Sequence, residues 1–289
     1  MATLMTDRAV VEVSGPDARD FLQSLVTNDV AGTKPGAMLW AGLLTPRGKI
    51  LFDFFIVDAG DGQRETRFLL DVPAARRQAL EQRLGMYRLR REVEITPRED
   101  LAVAVDIDAA EGRERGALAI HADPRFADMG SRAILPAAAA SGLSTDAGDW
   151  HARRIALGLP DSEADIGSEK LFPHEADFDC LNGVSFTKGC YVGQEVVSRM
   201  HHRGTARSRL VPVAGAAPLR GGMTVTAGER RIGEVFSTAG KRAIALIRLD
   251  RAAAAIEEGL ALLAGGEIPL RLIRPPWVCF EMPADNGNG

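Results

Sequence analysis

Cysteine is scarce in this chain: three residues, Cys180, Cys190 and Cys279, among 289. The number is odd and no Cys-x-x-Cys spacing occurs, so neither a disulfide framework nor a zinc knuckle is supported, and reduced thiols are expected. An excess of basic charge is missing too. A net charge of −4 and a pI near 5.8 argue against a general nucleic-acid binder, so any anion site must be local. No apolar run reaches membrane-spanning length, and Met1 to Arg8 lack the basic and apolar regions of a secretory signal. A cytoplasmic address of bacterial type follows as the expectation, with neither membrane nor nucleic acid as partner. No Ser-His-Asp arrangement, Walker loop or dinucleotide fingerprint stands out.

What is present is enough chain for two or three domains and a substantial core without cross-links. With 46% hydrophobic and 26% charged residues, the composition is that of a soluble globular protein. Val10 to Val13 alternate as a strand, and Ser14-Gly15-Pro16-Asp17 then supply a turn and N-cap for a helix through Phe21, Leu22 and Leu25. Ala37–Leu44 and Lys49–Val57 are β-prone and joined by Thr45-Pro46-Arg47-Gly48, which predicts a hairpin. After Gly60-Asp61-Gly62 come a strand over Arg67–Asp71, a helix from Pro73 to Leu84, and strands around Val93–Ile95 and Leu101–Val105. Such alternation points to an α+β layer rather than a parallel nucleotide-binding sheet.

Ala137–Asp149 reads as a connection and Asp149–Leu157 as a helix stopped by Gly158 and Pro160. Asp161–Asp179, acidic and without periodicity, is expected to run over the surface. Beyond Arg207, short β-prone runs punctuated by glycine predict a small C-terminal barrel or sandwich, with a boundary near residue 205.

The stretch with chemistry is Lys188-Gly189-Cys190-Tyr191-Val192-Gly193-Gln194-Glu195. From Lys188 to Arg209 there are five Lys or Arg against one acid, Glu195, and Arg199, His201, His202 and Arg203 follow the thiol. Cations around Cys190 would favour its thiolate, and an anionic ligand could dock there. Gly189 and Gly193 permit a sharp turn, and Gln194–Arg199 can open a helix. Tyr191 has a face for a flat heterocycle, while Gln194 and Glu195 can pair with its ring donors and acceptors. The residue types alone leave a plainer description equally open, in which Cys190 is a small buried hydrophobe, the glycines mark a turn, and the arginines form a solvated face.

Cys180 and Cys279 sit in apolar settings that point to packing. His174 has no partner at i+3 or i+4 and reads as a polar loop residue rather than a metal ligand. Arg83–Arg91 form a second basic cluster, with a solvated helix end as the favoured reading and a polyglutamate tail or phosphate as the alternative.

The stretch Lys188–Glu195 resembles the K-G-C-Y-x-G-Q-E signature of the YgfZ-type folate-binding proteins. These are relatives of the glycine-cleavage T-protein and of the mitochondrial iron–sulfur assembly factor. The resemblance continues through Gly15-Pro16-Asp17-Ala18, Thr27-Asn28-Asp29, Leu44–Lys49, Tyr87–Arg90 and Gly183–Phe186. It implies three domains around a central hole. A discontinuous folate-binding domain would span 1–45 with 145–205, a ferredoxin-like domain would be inserted over 46–144, and a β-barrel would follow over 206–289. It also implies tetrahydrofolate or a one-carbon derivative as cofactor, with Lys188, Gly189, Tyr191, Gly193, Gln194, Glu195, Arg199, Asp53 and Asn28 around it and Cys190 as the functional thiol.

Two departures from aminomethyltransferases stand out. Cys190-Tyr191-Val192-Gly193-Gln194 replaces Asp-Phe-x-Gly-Arg, and Ala156 replaces the carboxylate of an Arg-x-Glu-x-Gly pattern. The resemblance therefore implies an accessory protein for iron–sulfur cluster assembly or repair, acting on assembly proteins or client enzymes. The alternatives are a folate-dependent aminomethyltransferase or demethylase, and an interaction module that kept only the fold. Three thiols cannot make a four-Cys site, so no permanent metal is expected.

Overall fold

The computed structural model describes residues 1–61, 66–204 and 206–283. It comprises two compact units, Met1–Ala147 with Leu181–Gln194 and Gly148–Cys180 with Glu195–Gly289. The first unit contains β1 (Thr3–Leu4), β2 (Arg8–Ser14), α1 (Ala18–Gln23), β3 (Met38–Leu44), β4 (Ile50–Asp58), β5 (Arg67–Pro73), α2 (Arg77–Arg88), β6 (Glu94–Pro97), β7 (Leu101–Val105), α3 (Ala109–Glu114), β8 (Ala119–Ala122) and β9 (Ser131–Pro136). These strands make a five-stranded sheet in the order β3-β4-β5-β2-β6 and a four-stranded sheet in the order β1-β7-β9-β8.

The β3–β4 hairpin closes through Thr45-Pro46-Arg47-Gly48, where the Gly48 N–H donates to Thr45 O at 2.8 Å and Gly48 takes φ +81°. Proline at the second turn position and glycine at the fourth suit that geometry. Strand β4 is buried along its whole length, so both of its faces are covered. One face carries Phe52, Phe54 and Ile56 and joins Val11, Val13, Phe68 and Leu70 in a core with Phe21 and Leu22 of α1 and Leu80 and Leu84 of α2. The other face is chemically different. Phe55 pairs with Trp40 on β3 and with Asp71 on β5, and alternation puts Asp53 on the same side. Asp17 stands at the N-cap of α1, yet its carboxylate caps nothing there and instead accepts the Glu92 N–H at 2.8 Å.

The second unit holds α4 (Gly148–Leu157), a π-helical turn over Ser162–Ile166, and α5 (Gln194–Arg203). It ends in β10 (Ser208–Gly215), β11 (Thr224–Ala227), β12 (Arg230–Ala239), β13 (Arg242–Arg248), α6 (Leu249–Glu257), β14 (Leu262–Ala264) and β15 (Ile268–Leu272). The strands close a barrel in the order β10-β13-β12-β11-β14-β15, filled by Val211, Val213, Val225, Val235 and Ile247 with Ala252 and Ala255 of α6. The α+β content and the C-terminal barrel are those the sequence predicts. Among the described residues, no helix is long and apolar enough to cross a membrane.

Several local expectations need correction. The acidic stretch Asp161–Asp179 does not run over the surface: Asp165, Ile166, Leu171, His174, Asp177 and Phe178 are all buried. Its acids find arginines distant in sequence, Arg154 for Asp165 at 2.8 Å and Arg209 for Asp179 at 2.6 Å. His174 does lie in a turn of the second unit, but it is buried rather than exposed to solvent. Cys180 and Cys279 are not reduced packing residues but a disulfide, with Cα atoms 5.4 Å apart across 99 positions of sequence. No spacing rule could have paired them. The expected domain break at 45/46 falls inside the Thr45–Gly48 turn of one hairpin. The expected turn at Gly62 and the boundary at Thr205 lie outside the described residues.

Candidate functional site

The segment Leu181–Gln194 belongs to the first unit and is tied there by side chains near its start. Thr27 Oγ1 donates to Gly183 O at 2.6 Å, and Asn28 Nδ2 donates to Asn182 O at 2.6 Å. The principal anchor is Lys188. Its ammonium donates to Gln23 O at 2.7 Å, Val26 O at 2.6 Å and Asn28 O at 2.8 Å. Carbonyls at and just beyond the end of a helix lack helical partners, and an ammonium has three donors, so the two sets match one to one. Burial pushes the Lys188 ammonium down to about 8, with attraction to Asp29 acting the other way. Lys188, expected to contact cofactor, thus has every donor spent on backbone; its place here is to position the loop.

Tyr191 is also buried, which raises its phenol to about 12, and its ring centroid lies 5.2 Å from the Lys188 Nζ. Val192 packs against the helical-face core of the five-stranded sheet. Gly193 has φ +82°, and a Cβ there would stand 2.6 Å from Thr45 O, so the loop lies directly on the β3–β4 turn. Only glycine tolerates both conditions. Between the buried anchors, Gly189 and Cys190 are exposed, and Cys190 is a free thiol. Nothing lies within 4 Å of a Cβ built on Gly189, so the space beside the thiol is open. Gln194 is half-buried at the start of α5, and Glu195 and Arg199 pair with each other one turn apart on its exposed face.

Asn28 and Asp53 also lie in the first unit. The Asn28 amide donates to Trp40 O at 2.8 Å as well as to Asn182, and its Oδ1 accepts the Asp29 N–H at 2.9 Å. Asn28 forms part of a cleft of about 530 Å³ whose walls are Met38, Leu39, Pro124, Val184 and Phe186, with Asn182, Ser185 and Thr187 supplying polar groups. Asp53 is buried on the charged face of the sheet and accepts the Trp40 Nε1–H at 3.1 Å.

Around it lies a layer that residue-by-residue reading missed. Arg125 is held by Asp123 at 3.0 and 2.8 Å and lies over the Trp40 and Phe55 rings, while Asp71 binds Arg8 at 2.6 Å and Arg132 at 2.5 Å. The one signal for it was Asp53 and Asp71 interrupting otherwise apolar strands.

In the second unit, Ala156 sits half-buried on α4, beside an Arg154 whose guanidinium donates to Asp165 and Leu159 O at 2.8 Å each and to Ser237 Oγ at 2.9 Å. Arg209, counted in sequence among the loop cations, is buried against His174 O and Asp179 at 2.6 Å each, with Asp177 at 3.4 Å. Its charge is neutralised within that cluster.

Two domain families match the chain. Residues 5–108 match the GCVT N-terminal domain, and residues 207–280 match the CAF17 C-terminal beta-barrel domain. The fold is that of glycine cleavage system aminomethyltransferase T from Bartonella henselae, with a TM-score of 0.76 over 96% of this chain and 86% of that one, at 19% identity. The class is therefore a T-protein-like α+β fold ending in a barrel.

Curated relatives narrow it. The chain is 33% identical to the mitochondrial iron-sulfur cluster assembly factor IBA57 of Homo sapiens over 93% of its own length and 83% of the relative's. It is 33% identical to the Mus musculus protein of the same name, over 84% and 76%. It is 34% identical to the Neurospora crassa homolog, over 75% of this chain and 55% of that one. The chain belongs to the IBA57 family of iron-sulfur cluster assembly factors. The expectation of a cytoplasmic address is overturned by these relatives, which are named as mitochondrial. The features behind that expectation do not separate the two compartments.

Proposed function

We propose that this chain is a tetrahydrofolate-binding accessory protein in the assembly or repair of iron–sulfur clusters, of the YgfZ-type branch, with Cys190 as its functional thiol. The observation that carries the proposal is the loop itself: a solvent-exposed, unbridged Cys190 held between a buried Lys188 and a buried Tyr191. A thiol displayed on an anchored loop is suited to meeting another protein's cluster or persulfide, because little ordering remains to be done on contact. Family membership supports the pathway. Its partners on this reading are iron–sulfur assembly proteins or client enzymes.

The cleft beside Asn28 fits a reduced folate in its chemistry: an apolar wall of Met38, Leu39 and Phe186 for a flat ring, with amides and hydroxyls for its polar edge. Ser185 and Thr187 would hold the ligand, Asn28 could offer only the remaining lone pair of its Oδ1, and Asp53 with Trp40 would back the strand behind it. Tetrahydrofolate, when bound, supplies a carrier for a one-carbon unit. Aminomethyl transfer is the less supported reading, since fold does not carry activity and Ala156 offers no carboxylate.

Two measurements test the proposal separately. Replacing Cys190→Ala in cells that lack the endogenous protein should lower the activity of a cluster-containing enzyme under oxidative stress; full activity would remove the thiol's role. Calorimetry of the purified chain with tetrahydrofolate should show binding that Phe186→Ala weakens, and absence of any heat would remove folate from the account.

A further inference from the structure

The stretch Arg83-Leu84-Gly85-Met86-Tyr87-Arg88-Leu89-Arg90-Arg91 carries four arginines and no acid. Among the described residues, the buried or half-buried Arg8, Arg19, Arg98, Arg125, Arg154 and Arg209 are each matched to a carboxylate, whereas Arg88, Arg90 and Arg91 are exposed. Here, among the described residues, no carboxylate pairs with Arg88, Arg90 or Arg91; Arg91 reaches only Ser24 Oγ at 3.1 Å and the Phe21 ring. A solvated helix end accounts for Arg88, whose charge complements the α2 dipole. It does not account for the two apolar side chains in the same ridge. Leu89 is 85% exposed and Met86 68% exposed, each among the few large hydrophobics so placed.

Leu89 is also the residue that ends α2 with φ +48° and ψ −110°, a conformation that residues other than glycine adopt at a cost. There Arg88, Leu89, Arg90 and Arg91 border a cleft of about 520 Å³ with Gly15 and Pro16, and its three arginines outnumber the two acids that also line it, Glu92 and Glu94. That cleft is built rather than incidental. Gly15 takes φ +114°, a Cβ on it would stand 2.4 Å from Glu92 O, and the Glu92 N–H is held by Asp17 at 2.8 Å.

We propose that this ridge is a docking surface for an acidic, amphipathic segment of a partner protein, with Met86 and Leu89 covered by its apolar side chains and Arg88, Arg90 and Arg91 facing its carboxylates. Charge complementarity selects an acidic partner, and the exposed apolar pair selects a protein segment over an anion without apolar groups, such as polyglutamate or nucleic acid. The proposal stands apart from the folate and thiol readings, since it uses none of their residues.

The test uses the full chain and a fluorescein-labelled peptide of alternating Glu and Leu, read by fluorescence anisotropy. The double change Arg88→Glu and Arg90→Glu should weaken binding about tenfold or more and flatten its salt dependence. Leu89→Ser should weaken it about threefold to tenfold and leave the salt dependence intact. Both sites are exposed, so thermal melts should match wild type, and Leu89→Ser stands alone if the charge reversal fails to fold. Equal binding by wild type and Leu89→Ser would overturn the proposal. So would tighter binding to an all-Glu peptide, a DNA duplex or phosphatidylserine vesicles, or a dimer of this chain that Leu89→Ser dissociates.

Discussion

Two irregular segments of this molecule are each held by a buried cation, and the two cations are satisfied in opposite ways. In the first unit Lys188 serves the loop Leu181–Gln194 and takes three neutral backbone carbonyls. In the second, Arg209 serves the stretch before Cys180 and takes the carboxylates of Asp177 and Asp179. Carbonyls satisfy donors without cancelling charge, so Lys188 keeps a net positive field that reaches Asp29. Arg209 is spent on cohesion. The difference separates a segment built to display something from one built to stay shut: beside Lys188 the chain exposes a thiol, whereas beside Arg209 it buries an imidazole.

The strongest way to break that contrast is Arg209→Ala. It leaves Asp177 and Asp179 without their counter-charge, and it should cost about 3–5 kcal/mol of stability in urea denaturation. Burial already pushes the Asp177 carboxyl well above its usual range, with Arg209 opposing, so removal should drive it further toward the neutral form. A loss no larger than that of a surface change would mean that Arg209 is not the keystone of its segment.

Lys188→Met comes next. Three carbonyls lose their donor, a cost of about 1–3 kcal/mol, and amide exchange should quicken within Leu181–Gln194 while the barrel strands keep their protection. Exchange that quickens throughout would show that Lys188 supports the fold at large.

The smallest effect is a pH dependence in the second unit. Burial holds His174 down to about 4, against an ordinary 6.5, so between those values the unfolded chain binds a proton that the folded chain refuses. Stability should therefore fall as pH drops from 6.5 toward 4. Of the groups facing His174, Asp179 opposes the shift, while the positive charges of Arg209 and His201 add to it. In His174→Gln the slope over that window should shrink; an unchanged slope would assign the acid sensitivity to the neighbouring carboxylates.

Local pattern carried the sequence reading where contacts are local. The hairpin on Thr45–Gly48, the strand Leu101–Val105 and the helix stopped at Gly158 were legible because turn chemistry and alternation act over a few residues. Strands β8 and β9 were not, being short and alanine-bearing, and with them went Arg132 and the charged layer around Asp53. The stretch Asp161–Asp179 misled for a related reason. Acids without periodicity look solvated unless their arginines are known, and Arg154 and Arg209 lie 11 and 30 positions from Asp165 and Asp179. At the candidate site, residue types left a plain turn equally open and the family resemblance singled out the loop, while its internal division of labour emerged only from the carbonyls around Lys188 and the turn beneath Gly193.

The bridge between Cys180 and Cys279 has a consequence for the chain's covalent reach. With those two sulfurs joined, the molecule has a valence of one toward other thiols, and Cys190 is its sole point of attachment. Oxidative coupling between copies can therefore link a pair and must stop there, and each copy can form one mixed disulfide with another protein. Opening the bridge would raise the valence to three and permit networks.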